Sequence, residues 1–149
     1  MLLSKSCVYG IRALLYLSVN RDREYVPISE ISELLGISFH FLTKILQELT
    51  AVGIVKSRKG IKGGVALAQP ADKITLYNII MHLDGEALFN ECVLGLPGCA
   101  DDNPCSMHKI WSSVKKELQG NLQTETLAHL ARQIDEGNIR LYDYNFAID

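Results

Sequence analysis

The sequence predicts a mainly α-helical protein that carries one short β-hairpin and ends in a long helix. Three observations lead to this fold class. Two short amphipathic segments meet at Gly36, a basic glycine-rich stretch covers residues 56–64, and apolar side chains recur every four residues over 110–122. Two helices joined by a tight turn form a helix-turn-helix, and the basic hairpin directly after them forms a wing. The prediction is a winged helix-turn-helix with a two-stranded wing plus a long C-terminal dimerisation helix.

Composition limits the class of protein further. The chain has 149 residues, 48% of them hydrophobic, which is enough for one domain with an extension. It has no run of about eighteen apolar residues, so we expect no membrane span. Lys5 and Arg12 interrupt the apolar N-terminal residues, which favours an amphipathic helix over a signal peptide. We therefore expect a cytoplasmic protein, in which thiols stay reduced.

Charge is distributed unevenly along the chain. Residues 1–82 carry ten Lys or Arg against six Asp or Glu, whereas residues 83–149 carry five against eleven. The net charge of −2 therefore conceals a basic half and an acidic half. This asymmetry is typical of a protein with a nucleic-acid-binding half, although chance variation of surface charge would also produce it.

Helical spacing and stop signals define the first three helices. The first is predicted over residues 2–19. The second starts at Pro27 and stops at Gly36, because proline suits a first turn and glycine accepts the left-handed backbone of a C-cap. Ser38 can cap the third helix with its hydroxyl. That helix turns one apolar face inward: Phe41, Leu42, Ile45, Leu46 and Leu49.

The third helix is the one that enters the major groove in a helix-turn-helix, with its N-terminal residues forward. Its candidate contacts to bases or phosphates are therefore Ser38, Phe39, His40, Thr43 and Lys44. Phe39 suits a thymine methyl group, and it suits the protein interior equally well.

Residues 55–67 predict two short strands joined by a basic tip. Cations supply the sequence-independent part of DNA affinity by releasing counterions, and glycines allow a tight turn close to a phosphate. The alternative is a solvated hairpin whose lysines only limit edge pairing. The candidate DNA contacts of the wing are Lys56, Arg58, Lys59, Gly60, Lys62, Gly63 and Gly64. Small winged helices usually bind as dimers, so the expected partner is a pseudo-palindromic double-stranded DNA operator.

The second half contains a short helix closed by Gly85, a cysteine-rich loop and a long amphipathic helix. The long apolar stripe favours pairing with a second copy of the chain, and packing on its own domain is the alternative. Thr124 or Thr126 can cap a last helix. The predicted interface residues are Ile110, Trp111, Val114, Leu118 and Leu122.

The predicted organisation has four parts. They are a DNA-binding domain over 1–83, a cysteine-rich loop over 84–108, dimerisation helices over 109–135, and a tail over 136–149 to which the sequence assigns no role.

The stretch ECVLGLPGCADDNPCSMH at 91–108 holds three of the four cysteines. Its spacing is C-x6-C-x5-C-x2-H, formed by Cys92, Cys99, Cys105 and His108. Glycine and proline make the stretch irregular, so a loop can curl until the sulfurs converge. Thiolates prefer zinc and iron–sulfur clusters.

Spacing alone leaves several interpretations of this loop open. Structural zinc usually takes C-x2–4-C pairs, which do not occur here. A static disulfide would leave one cysteine over in a reducing compartment, and three unconnected cysteines are a further alternative. A small thiol redox enzyme would be expected to carry a C-x-x-C pair, so we do not expect an enzyme.

Over about residues 1–135 the chain resembles the IscR/NsrR-type transcription regulators of the Rrf2 family. The resemblance rests on these segments: SK…YGIRALLYL, VPISEISELLGIS…LTKILQELTAVGIV, RKGIKGGVALAQPADKITLYNII, the cysteine loop with HKIW, and TETLAHLA. It implies a dimeric winged-helix repressor or activator that is not an enzyme. It also implies a 2Fe–2S cluster that alters DNA affinity in response to redox state, nitric oxide or iron–sulfur status.

The resemblance also implies the cluster ligands. Cys92, Cys99 and Cys105 match the three ligating cysteines, and His108 stands where IscR-like members carry a histidine ligand. NsrR-like members use a carboxylate on the first helix of the partner subunit, where this chain has Val8, and the adjacent Cys7 is the alternative fourth ligand.

The chain departs from the family pattern at two places. Six residues instead of five separate the first two cysteines, and the wing reads GIKGGV instead of a Gly-Pro-Gly-Gly-Gly run. The alternative function is a cluster-free or zinc-stabilised regulator of the same fold that responds to a metabolite or a partner protein.

Overall fold

The computed structural model describes residues 2–141. Within this range the chain forms seven α-helices, two β-strands and one 3-10 turn at Ala71–Lys73. The elements are α1 (Lys5–Val19), α2 (Ile28–Leu35), α3 (Phe39–Ala51), β1 (Val55–Arg58), β2 (Gly64–Leu67), α4 (Leu76–Leu83), α5 (Ala87–Asn90), α6 (His108–Thr124) and α7 (Leu127–Asp135). The predicted fold class, mainly α with a winged helix-turn-helix, is confirmed.

The ends of the first helix follow from local hydrogen bonds. Ser4 caps α1 because its hydroxyl accepts the backbone N–H of Cys7 at 3.0 Å, so the helix begins three residues later than predicted. The backbone N–H of Ser4 also donates to Asp84 Oδ2 at 2.9 Å. This bond fixes the start of α1 to the end of α4.

The turn between α2 and α3 forms at the predicted residues. Gly36 adopts the left-handed conformation at φ 64°, as a C-cap glycine should. Ser38 is the N-cap of α3, but the prediction that its hydroxyl caps the helix is wrong, because that hydroxyl makes no capping bond. Ser38 is exposed, so water is available to the first-turn amides instead.

The main core lies between α1, α2, α3 and the base of the wing. The apolar face predicted for α3 is buried, apart from the half-buried Phe41, and it meets the inner faces of α1 and α2. The largest fully buried side chains include Leu14, Ile31, Leu42, Ile45, Leu46 and Leu49. This packing leaves the opposite face of α3 exposed to solvent.

The wing is an antiparallel pair with its base fixed to the helical domain. β1 and β2 pair in register from Val55 opposite Leu67 to Arg58 opposite Gly64. Val65 also exchanges two backbone hydrogen bonds, each 2.9 Å, with Val26. Gly64, a predicted DNA contact of the wing, is the first residue of β2 and does not belong to the tip.

The chain leaves the helical domain after the wing and comes back to it. Leu76 N donates to Glu125 O and Leu127 N donates to Ile74 O, each at 3.0 Å. α7 then packs against α1 and buries Leu127 and Ala131. Helices α6 and α7, which the sequence groups as dimerisation helices, therefore have different surroundings.

Two predictions about the C-terminal part have separate outcomes. Thr126, not Thr124, caps α7, since its hydroxyl accepts the backbone N–H of His129 at 3.2 Å. The predicted tail over 136–149 lies mostly outside the described residues, which stop at Leu141. The boundaries between the four predicted parts stay a prediction.

Among residues 2–141, none of the helices combines the length and the apolar character that a bilayer crossing requires.

Candidate functional site

The exposed face of α3 carries most of the side chains predicted to read DNA. His40 and Lys44 are exposed, and Phe39 is 47% exposed, so Phe39 is a surface residue. The Phe39 and His40 rings meet edge to face, with centroids 5.8 Å apart. The Thr43 hydroxyl donates to Phe39 O at 2.7 Å, which still leaves its oxygen able to accept.

A groove of about 440 Å³ separates this face of α3 from the wing. Phe39, Thr43 and Gln47 line one wall, and wing residues 57–60 and 63–65 line the other. Gln47 was not among the predicted contacts. Its spacing could have revealed it, because residues 39, 43 and 47 succeed one another by four and share a helical face.

The wing cations are not equivalent. Arg58 Nη1 lies 3.2 Å from Glu24 Oε1, and its guanidinium lies 5.7 Å from the Tyr25 ring centroid. Lys56 Nζ lies 5.8 Å from the same centroid. An exposed ion pair contributes little, so Arg58 can exchange Glu24 for a phosphate at small cost.

The tip of the wing is a four-residue turn. Gly63 N donates to Gly60 O at 3.0 Å, which leaves Ile61 and Lys62 at the two central positions. A Cβ on Gly63 would lie 2.1 Å from Arg58 O, so only glycine fits there. Lys59 and Lys62 are exposed on either side of Ile61.

The cysteine loop brings its three predicted thiols together. The Sγ atoms of Cys92, Cys99 and Cys105 all lie within 4.8 Å of one another, and Cys92 Sγ is 3.4 Å from Cys105 Sγ. His108 begins α6 and places its Nδ1 3.3 Å from Cys99 Sγ. The three predicted cysteine ligands therefore converge, and His108 lies beside them in contact with Cys99.

A second set of contacts orients His108 within this cluster. Its Nε2 lies 2.8 Å from Asp101 Oδ1 and 3.4 Å from Ser112 Oγ. If Nε2 carries the proton and donates it to Asp101, Nδ1 keeps a lone pair directed at the sulfurs. Neither Asp101 nor Ser112 was predicted, because an aspartate or serine in this stretch has no local feature that marks it as a histidine partner.

The start of the loop is held by α6. Trp111 Nε1 and Lys115 Nζ both donate to Glu91 O, each at 3.3 Å. The carbonyl that precedes Cys92 is thus fixed to the long helix, one and two turns beyond His108. Trp111, predicted as a dimer contact, has this role within its own subunit.

The cluster thiols differ in acidity. Hydrogen bonds from backbone N–H groups, chiefly that of Leu96, lower the pKa of Cys92 to about 7, although burial acts in the opposite direction. The Cys105 N–H favours the thiolate of Cys99, yet burial and the neighbouring thiols outweigh it and raise the pKa of Cys99. A cysteine with a pKa near neutral pH is a suitable first ligand for a soft or borderline metal.

Cys7, the alternative fourth ligand, lies elsewhere. Its side chain is fully buried beside Ile80 and Phe89, and it is not one of the three converging thiols. Burial, aided by the Asp84 carboxylate, raises its pKa to about 12. Within one subunit Cys7 therefore lies apart from the three thiols, whereas His108 Nδ1 contacts Cys99 Sγ.

The long helix α6 contains no fully buried residue. Ile110 is 65% exposed and Val114 is 44% exposed, whereas Trp111, Leu118 and Leu122 are half-buried. Leu122 packs against the cluster formed by Cys7, Ile80 and Phe89. The apolar stripe thus divides into a part that meets its own subunit and a part that faces solvent.

Comparison with known proteins agrees with this architecture. Residues 3–133 match the Rrf2 family model, described as an iron-dependent transcriptional regulator. A protein of Aquifex aeolicus (strain VF5), described as an HTH-type transcriptional regulator, is 39% identical over 87% of this chain and 91% of its own length. The regulator IscR of Klebsiella pneumoniae (strain 342) is 31% identical over 82% of this chain and 74% of its own.

Solved structures share the fold. IscR of T. potens superposes with a TM-score of 0.73 at 26% identity, over 93% of this chain and 91% of that one. The cysteine regulator CymR of B. subtilis has a TM-score of 0.73 at 24% identity, over 87% and 95%. Relatives of this kind are DNA-binding transcriptional regulators, typically dimeric, and not enzymes.

The basic groove between α3 and the wing, the thiol cluster at the start of α6 and the family match over residues 3–133 lead to one conclusion: the chain belongs to the Rrf2 family of transcriptional regulators.

Proposed function

We propose that this chain is a homodimeric transcription regulator whose affinity for a pseudo-palindromic operator is controlled by a 2Fe–2S cluster. The ligands are Cys92, Cys99, Cys105 and His108. The observation that carries the proposal is the convergence of three sulfurs within 4.8 Å of one another, with an imidazole nitrogen 3.3 Å from one of them.

The donor set fits the cluster in number and type. The four side chains fall into two close pairs, Cys92 with Cys105 at 3.4 Å and Cys99 with His108 at 3.3 Å. Each iron of a 2Fe–2S cluster takes two protein ligands, and histidine can replace cysteine. When bound, the cluster supplies a centre that changes oxidation state and reacts with oxidants or nitric oxide.

Position in the chain connects this site to DNA binding. The loop joins α5 to α6, and the Glu91 carbonyl is held by Trp111 and Lys115 of α6. A change in ligation at His108 therefore acts on the first turn of the helix that would set the spacing of the two DNA-binding domains. The regulator would act in the cytoplasm, where its operators lie.

Metal analysis tests the cluster. We expect protein made without oxygen to be coloured and to contain two irons and two sulfides per chain, as the 2Fe–2S formula requires. His108→Ala should lower the iron content or shift the absorption spectrum, and the matched variant Cys7→Ala should leave both unchanged. A colourless preparation without sulfide would refute the proposal, and an effect of Cys7→Ala alone would make Cys7 the fourth ligand.

Operator affinity tests control by the cluster. Binding to one operator duplex is measured with the same preparation before and after the cluster is removed by a chelator. Different affinities are expected because ligation constrains the start of α6. Equal affinities in the two forms would leave the DNA-binding role intact and reject the regulatory one.

A zinc-stabilised regulator is the second candidate. Its support is the compactness of the site, because sulfurs on one tetrahedral zinc ion stand about 3.8 Å apart, close to the 3.4 Å between Cys92 and Cys105. One zinc per chain with neither iron nor sulfide, in protein made without oxygen, would favour this candidate.

Two groups of variants test how DNA is read. Lys62→Ala and Arg58→Ala should weaken binding to every duplex and reduce the salt dependence by about one phosphate each. His40→Ala or Thr43→Ala should instead change the preferred sequence, at a cost of about 1–3 kcal/mol if a base contact is lost. A change of preference in the wing variants would contradict the assignment.

The dimer is supported by Ile110 and Val114, which face solvent on α6. Ile110→Glu should produce monomers by analytical ultracentrifugation while the helical circular dichroism stays unchanged, because an exposed side chain contributes little to the fold. Glu117→Gln is a matched control on another exposed position of α6. A dimer that survives Ile110→Glu would locate the interface elsewhere.

A further inference from the structure

The wing presents an apolar side chain where its basic character would lead one to expect another cation. Ile61 is 104% exposed, the highest value among the exposed large hydrophobic side chains of the described range. A side chain this exposed is not part of the core. An isoleucine that contributes nothing to folding at this position requires another explanation.

The backbone holds this side chain in a fixed position. The turn is closed by the hydrogen bond from Gly63 N to Gly60 O at 3.0 Å, and the next residue, Gly64, starts the strand that is paired with Arg58. The base of that strand is fixed in turn by the two Val26–Val65 hydrogen bonds. The wing is therefore a short anchored arm that ends in one branched apolar group.

Cations surround this group on the same arm. Lys59 and Lys62 are both exposed, and Arg58 lies directly before them, so the tip combines positive charge with a small apolar end. Such a surface is complementary to a polyanion that also offers an apolar surface. A DNA groove has both, since phosphates form its walls and the edges and faces of stacked bases form its floor.

We propose that Ile61 inserts into the minor groove beside each half-site and wedges into a base step there, while Lys59 and Lys62 bind the flanking phosphates. The inference rests on the proposed operator binding and makes Ile61 a specificity-determining residue. Partial unstacking by an apolar wedge bends the duplex toward the major groove. Pyrimidine–purine steps unstack most easily, so the wedge favours such a step at a position where the protein reads no base edge.

The test uses the full-length, cluster-loaded protein and DNA that it selects itself. Wild-type protein enriches a duplex from random duplexes about three helical turns long. That duplex is then labelled at its ends for energy transfer and carries 2-aminopurine at successive steps next to the half-sites. Affinity, its salt dependence, 2-aminopurine fluorescence and the end-to-end distance are measured for wild type, Ile61→Ser, Ile61→Leu and Lys62→Ala.

The proposal predicts a distinct result for each variant. Ile61→Ser should lose about tenfold to hundredfold in affinity, the range expected when one buried branched side chain is removed. Its salt dependence should stay that of the wild type, while the 2-aminopurine signal and the bend disappear. Ile61→Leu should keep both signals, and Lys62→Ala should keep them while its salt dependence falls by about one phosphate.

Other outcomes overturn the proposal in distinguishable ways. Binding by Ile61→Ser within twofold of wild type, with the same bend, would reject the wedge and leave operator binding intact. Dissociation of the Ile61→Ser dimer in the ultracentrifuge would show that Ile61 contacts protein instead. Failure of the wild type to enrich any duplex would reject operator binding, and with it the wedge.

Discussion

Substitution of Gly64 tests how firmly the wing is fixed to the helical domain. A Cβ at this position would lie 2.2 Å from Val26 O, a backbone atom that cannot rotate away. Relief of the contact requires the two segments to separate by about 1 Å, which stretches both 2.9 Å hydrogen bonds between Val26 and Val65 beyond bonding range.

The magnitude follows from these two contributions. Loss of two backbone hydrogen bonds costs about 2 kcal/mol net. A non-glycine residue at φ 144° adds about 1–3 kcal/mol of backbone strain. Gly64→Ala should therefore lower the free energy of unfolding by about 3–5 kcal/mol, which is within the total stability of an ordinary domain.

Gly60→Ala is the matched control on the same wing. Gly60 has a φ of 105°, and a Cβ there would meet nothing within 4 Å, so only the strain of about 1–3 kcal/mol is expected. Urea denaturation of both variants, without metal and under reducing conditions, measures the difference. Equal losses in the two variants would refute the reasoning, because they would show that the contact with Val26 contributes nothing.

Three further predictions follow from the cysteine loop and the core. In metal-free protein, the rate of Cys92 alkylation by iodoacetamide should rise with pH around a midpoint near 7, because the pKa of Cys92 is lowered from 9.0. Cys7, which is buried, should stay unlabelled until urea unfolds the chain. A midpoint near 9 for Cys92 would contradict this prediction. Asp101→Ala should weaken zinc binding to the metal-free protein about 10–100-fold, because His108 loses the carboxylate that orients its ring. Zinc affinity is measured by competition with a chelator, with Asp102→Ala as the control. Equal zinc affinities of the two variants would show that Asp101 does not orient His108. Leu127→Ala should cost about 2–5 kcal/mol in the same urea assay, since its side chain is fully buried where α7 meets the domain, and a loss below 1 kcal/mol would show that α7 is not docked.

The helix-turn-helix and the wing were predictable because their signals are local. The apolar period of α3, the left-handed Gly36 and the basic tip each depend only on residues close to them in the sequence. The Ser38 cap was a local inference too, and it was wrong because solvent competes for the same amides at an exposed helix start. Local rules thus predicted which helices and strands form more reliably than they predicted the hydrogen bonds at the helix ends.

The cysteine centre was predictable only in part. Spacing and irregular backbone indicated that the thiols could converge, and the geometry brings Cys92, Cys99 and Cys105 together. The contact between Asp101 and His108 depends on how the loop curls, which no periodicity encodes. The same holds for α7, whose apolar face was evident in the sequence although its partner, α1, was not.

The paired backbone hydrogen bonds between residues 74–76 and 125–127 have a consequence for how this chain can vary. They bring the two ends of a fifty-residue segment side by side, so the chain that forms α4, α5, the cysteine loop and α6 starts and ends at adjacent points. Insertions and deletions inside it, such as the extra residue between Cys92 and Cys99, leave the attachment points in place. A different set of metal-ligating residues could therefore replace this one without a change in the domain that binds DNA.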